Sequence, residues 1–131
     1  MWLALVLLTS MAVACFVSGL APKITEGEKN LVIGAMLENL EVVDADILQS
    51  ERRMTLTLVV REATTAQRAK EIGEGFIRLT KSLGPDDSPT IDAGGEEIGD
   101  GIFDYVISIF YPSGEAVASG AKTQSSSNID W

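Results

Sequence analysis

Between Val42 and Arg61 the apolar residues fall at every second position, and this period constrains the fold more than any other feature. Val43, Ala45 and Ile47 alternate with Asp44 and Asp46; after Gln49-Ser50-Glu51-Arg52, Met54, Leu56, Leu58 and Val60 alternate with Thr55, Thr57 and Val59. Successive side chains of a strand point to opposite faces, so the pattern predicts a β-hairpin with one buried and one wetter face. An isolated hairpin is marginal in water, so other segments must cover the apolar side.

Helical patterns flank it. Thr25-x-x-Glu28 forms a capping box, which starts a helix from Glu26 to about Leu40, with Leu31, Ala35, Leu37 or Met36, and Leu40 available for its apolar stripe. Gly27 and Gly34 weaken this helix by about 1 kcal/mol each relative to Ala, so it depends on tertiary packing. Thr64-x-x-Gln67 is a second capping box, and the helix it opens reaches Leu83 before Gly84-Pro85. Ala69, Ile72, Gly73, Phe76, Leu79, Thr80 and Leu83 lie on one stripe, with Arg68, Lys70, Glu71, Glu74, Arg78 and Lys81 mostly opposite.

Residues 84–101, GPDDSPTIDAGGEEIGDG, make a long loop with the carboxylates Asp86, Asp87, Asp92, Glu96, Glu97 and Asp100. Their spacing does not match the calcium-binding pattern of an EF-hand. Ile102–Tyr111 is then a β-prone run in which Phe103, Tyr105, Ile107, Ile109 and Tyr111 share one face, while Val106 and Phe110 point to the other. Pro112-Ser113-Gly114-Glu115 is a turn, and Glu115–Thr123 returns as the partner strand. The fold expected is therefore α+β, a two-layer sandwich of a four-stranded antiparallel sheet and two helices, in the order helix, hairpin, helix, loop, hairpin. Val106 and Phe110, on the second face, and Trp131, at the end of a tail over residues 124–131, are the candidate partner-binding residues. The tail reads as mobile until Ile129-Asp130-Trp131, which can dock on the body or on another chain.

This domain, residues 23–123, stands behind 22 residues without a charged side chain, MWLALVLLTSMAVACFVSGLAP. Such a run is long enough to span a bilayer as a helix and is also the core of an export signal. Ala12-Val13-Ala14-Cys15 resembles the lipobox of bacterial lipoproteins, and that resemblance implies cleavage before Cys15 and acylation of its thiol. A retained anchor over residues 2–20 and an ordinary cleaved signal are the alternatives. Lys23 and Lys29 follow the run and no Lys or Arg precedes it, a slight bias toward a cytoplasmic domain for a retained anchor. The expectation here is nevertheless an extracytoplasmic domain, because N-terminal apolar segments in short chains most often serve export.

Nineteen acidic residues face ten basic ones, for a net charge of −9. That balance disfavours nucleic acid as a partner, since phosphate backbones select clustered Lys and Arg, and it equally disfavours tight adsorption to anionic lipid headgroups. There is no histidine, so neither a histidine-based nucleophilic system nor histidine-ligated zinc can be built. No phosphate-cradling glycine motif is present, and no cofactor or metal ligand set is expected. Asp44 and Asp46 share a strand face and leave a carboxylate-dependent hydrolase as the remaining enzymatic reading; the expectation is a protein without catalytic activity.

Residues 28–83 resemble the BON-type domain of periplasmic and outer-membrane-associated proteins, with Leu31–Leu40 as its short helix, Val42–Val60 as its hairpin and Thr65-Ala66-Gln67-Arg68-Ala69 opening its second helix. The resemblance implies an envelope protein whose domain binds lipid or other envelope proteins. Together these readings predict a membrane-attached envelope protein, held through residues 2–21 or a lipid on Cys15. Its domain would contact other envelope proteins or itself, as a structural or accessory subunit. A lipid- or ligand-binding module is the alternative.

Overall fold

The structure, a computed structural model, describes residues 22–83, 98–99 and 101–131. The apolar run with Cys15, and the loop carboxylates from Asp86 to Glu97 with Asp100, lie outside the described residues. Two helices and four strands follow one another as α1 (Glu26–Leu37), β1 (Val42–Ser50), β2 (Arg53–Val60), α2 (Ala66–Leu83), β3 (Asp104–Phe110) and β4 (Ala116–Lys122).

The capping box at the start of α1 is complete. Thr25 Oγ1 accepts from the Glu28 amide at 3.2 Å, and Glu28 Oε1 accepts from the Thr25 amide at 3.1 Å. The helix ends at Leu37, three residues short of the expected Leu40. Its buried residues are Val32 and Met36, whereas Leu31, Ala35, Leu37 and Leu40 are exposed. From Leu31 to Leu37 the helix is apolar on every side, so the residues alone do not single out the face that packs.

At α2 the cap is Thr65, one residue later than the expected Thr64. Thr65 Oγ1 accepts from the Arg68 amide at 3.1 Å, and the Ala69 amide donates to the Thr65 carbonyl at 2.8 Å. Thr64 is instead buried, and its carbonyl accepts from the Tyr111 hydroxyl at 2.8 Å. Ala69, Ile72, Gly73, Phe76 and Thr80 are buried as the stripe predicts, joined by Ile77. Lys81, expected on the wet side, is also buried, with its amine beside Gly99.

The four strands form one sheet in the order β1-β2-β3-β4. β1 with β2 and β3 with β4 are antiparallel, but β2 and β3 run parallel, pairing Arg53 with Asp104 through Val59 with Phe110. The sheet is thus mixed, not the all-antiparallel sheet expected. α2 returns the chain along the sheet, so β3 starts at the end where β2 started, as in any strand–helix–strand crossover.

The alternation in β1 breaks once. Val42 pairs with Val60 and Asp44 with Val59, which leaves Val43 as the extra residue of a bulge. Val42 therefore takes the buried position and Val43 is exposed, the reverse of a strict period of two. Met54, Leu56, Leu58 and Val60 of β2 are fully buried against the helices with Tyr105, Ile107 and Ile109 of β3. A β-carbon built on Gly73 of α2 would lie 3.0 Å from Cδ1 of both Ile107 and Ile109, which puts α2 on this face; α1 packs beside α2 over β1.

Candidate interaction surface

The opposite face of the sheet is built by the alternate residues of the same strands. Across it run three rows, fixed by the strand register: Leu48, Thr55, Val106 and Ala121; Asp46, Thr57, Ser108 and Ser119; Asp44, Val59, Phe110 and Ala116. Among the described residues no helix or strand packs over them, because α1 and α2 share the other side. The apolar members Val59, Val106 and Phe110 are half-buried within the sheet, and Leu48 is 62% exposed at its edge. A hydroxyl row, Thr57, Ser108 and Ser119, separates the two apolar rows. Asp44 and Asp46 border the face on edge strand β1, where the bulge and the two charges also discourage another strand from pairing.

Val106 and Phe110 thus lie on one face of one strand, as expected. Trp131 lies elsewhere. Asp130 pairs with Ala121 through both backbone bonds, at 2.8 and 2.9 Å, and this carries Trp131 onto the helix side, over Gly120 and against Gly73. The structure therefore separates Trp131 from the other two candidates. The tail before it is also tied down: the Ser127 carbonyl accepts from the amides of Ile98 and Gly99, and the Gln124 carbonyl from Gly101.

Asp44 and Asp46 are both exposed, and Asp44 Oδ1 accepts from the Ala45 amide at 2.9 Å. Among the described residues no cleft separates them: they stand two residues apart on the same face of edge strand β1, whereas paired catalytic carboxylates face each other across a substrate. Among the described residues no group of three or more acidic or cysteine side chains is placed to hold a metal ion. At the β1–β2 turn, Ser50, Glu51, Arg52, Arg53 and Asp104 line a shallow, solvent-open depression of about 320 Å³. At the far end of the domain Arg68 bonds Glu41 at 2.9 Å and Glu71 at 3.3 Å, chiefly the Glu41 bond raising its guanidinium above the ordinary range.

One contact was not foreseen from the residues. Gln49 stands at an inward position of β1, and its side chain clamps the chain that leads into α1: Oε1 accepts from the Ile24 amide at 2.9 Å, and Nε2 donates to the Pro22 carbonyl at 2.7 Å. The signal was available, since Gln49 is the polar residue that continues the inward series Ala45, Ile47.

No protein-family model, curated protein or solved structure matches this chain.

Proposed function

We propose that the protein is a membrane-attached envelope component whose small extracytoplasmic domain makes protein contacts, as a structural or accessory subunit of a larger assembly. The open sheet face carries this reading: Val59, Val106 and Phe110 sit half-buried on a surface laced with hydroxyls and bordered by carboxylates, with no helix or strand of the described residues over it. Such a surface suits a protein partner better than a small molecule, which is normally held in a concave site. Attachment is supported by the uncharged residues 1–22 and by the lipobox-like residues before Cys15.

Native mass spectrometry of the detergent-extracted full chain tests the domain half of the reading. The expected result is a stoichiometric complex, with itself or with another envelope protein, that is lost in Val106→Lys while the thermal unfolding midpoint is retained. A monomer with no protein partner overturns it. Membrane fractionation of Cys15→Ser with intact mass of the wild-type protein tests the attachment. A lipid adduct on Cys15, or a retained run in the membrane fraction, supports it, and a soluble protein lacking the run removes it.

A second reading, a lipid- or ligand-binding module in the BON manner, is supported by the helix–hairpin–helix order of α1, β1, β2 and α2 over residues 26–83. In the same spectra it predicts bound lipid without a protein partner.

A further inference from the structure

The chain crosses from the apolar run into the domain at a defined place. Gln49 bonds both the Pro22 carbonyl and the Ile24 amide, so this segment is fixed beside the end of the sheet formed by the Glu51–Arg52 turn. Ala21 is one residue before Pro22, and an extended chain advances only about 3.5 Å per residue. If residues 2–21 enter a bilayer, this end of the sheet stands nearest to it.

The basic residues are distributed to match. Arg68 is paired with Glu41 and Glu71, Arg78 with Glu74 and Lys29 with Glu26; Arg61 holds the Leu40 carbonyl, and Lys81 and Lys122 are buried. Lys23, Arg52 and Arg53 are exposed and form no salt bridge with the described residues, nor do Arg61 and half-buried Lys70. Three of the ten basic side chains therefore point into solvent at the end where the apolar run joins. Leu48, two residues before the turn, adds an exposed apolar side chain there. Of the described carboxylates at this end, Glu51 is exposed, and half-buried Asp104, the register partner of Arg53, accepts from the Gln124 amide at 3.0 Å.

We infer that this end of the domain faces the lipid, with Lys23, Arg52 and Arg53 binding phosphates of anionic lipid headgroups. The inference rests on the membrane-attachment reading and adds to it an orientation and a lipid preference. Guanidinium forks suit phosphate oxygens, and the described acidic residues more than about 8 Å away are largely screened at physiological salt. The orientation also leaves the open sheet face standing away from the bilayer, accessible from the side.

The full chain is reconstituted into vesicles of phosphatidylcholine alone or of an equal mixture with phosphatidylglycerol. Flotation reads attachment, and hydrogen exchange reads the Ser50–Arg53 turn against the Tyr111–Glu115 turn at the opposite end. Exchange at Ser50–Arg53 is expected to slow about fivefold in the mixed vesicles, in a salt-sensitive manner. The effect should disappear in Arg52→Gln/Arg53→Gln, with Tyr111–Glu115 unchanged throughout. Equal exchange in the two lipids, or protection at Tyr111–Glu115 instead, overturns the orientation while attachment stands. Failure of the full chain to float overturns both.

Discussion

A β-carbon built on Gly120 would stand 2.8 Å from Cε3 of Trp131, so the indole rests directly on the backbone of β4. The same atom would meet Ile129 Cγ2 at 2.7 Å and the Asp130 carbonyl at 3.2 Å. On the helix side, a β-carbon on Gly73 would lie 3.0 Å from Trp131 Cη2. Two glycines, one in a strand and one in a helix, thus shape a seat for the tail. The tail in return covers part of a sheet edge by pairing Asp130 with Ala121.

Gly120→Val distinguishes a seated tail from a loose one by the sign of its effect. Valine is a better strand former than glycine, so with a loose tail the change would stabilise. With the tail seated, the side chain collides with Ile129 and Trp131, and a loss of about 1–3 kcal/mol is expected, as for other overpacked sites. Urea unfolding measures it. In a Trp2→Phe background, indole emission should also shift to the red as Trp131 leaves its seat.

The start of α2 is tested by two neighbouring threonines. Thr65 accepts from the Arg68 amide, so Thr65→Ala should cost about 1 kcal/mol. Thr64 is buried and engages through its backbone, so Thr64→Val, which keeps those backbone bonds, should cost less than Thr65→Ala. Chemical denaturation of the two variants decides, and the reverse order would return the cap to Thr64.

The sequence was most legible where the fold uses local rules. Thr25 and Glu28 cap a helix because the reciprocal bonds lie within four residues, and Met54 to Val60 alternate because a regular strand must. Legibility failed where a long-range relation decides. Val43 reads as buried until the register shows it as the extra residue between the pairs Val42–Val60 and Asp44–Val59. The direction of β3 was hidden because an apolar alternation reads identically in a parallel or an antiparallel neighbour. Around α1, Leu31, Val32, Ile33, Met36 and Leu37 permit several stripes, and contact with the rest of the core selects Val32 and Met36. Val106 and Phe110 were placed together by simple strand geometry. Trp131 was not, because its place depends on a bridge between Asp130 and Ala121 that no local pattern announces.

The early end of α1 has a measurable consequence. Leu40 is 83% exposed, and Leu40→Ser should change stability by no more than about 0.5 kcal/mol. Leu56 is fully buried in β2, and Leu56→Ala should cost about 2–5 kcal/mol through lost burial and the cavity left behind. Similar losses from both changes would mean that Leu40 is covered in the protein as measured, which would point to a contact made outside the domain by the turn after α1.

Glu51 has φ 55, the left-handed region, and is the one described residue other than glycine found there. It occupies the first position of the two-residue turn between Ser50 and Arg53, where hairpins favour Asn, Asp or Gly because the strands' twist requires positive φ. A residue with a β-carbon is held there at about 1–2 kcal/mol, a penalty that Asn reduces through local hydrogen bonding of its short side chain. Glu51→Asn should therefore stabilise the fold by about 0.5–1 kcal/mol, seen as a higher urea midpoint with an unchanged slope. The substitution also removes the exposed carboxylate next to Arg52 in the turn. Slower exchange at the turn in vesicles containing phosphatidylglycerol, beyond what the added stability produces in phosphatidylcholine alone, is then expected. A destabilising Glu51→Asn would mean that the Glu51 side chain makes a contact worth more than the backbone strain.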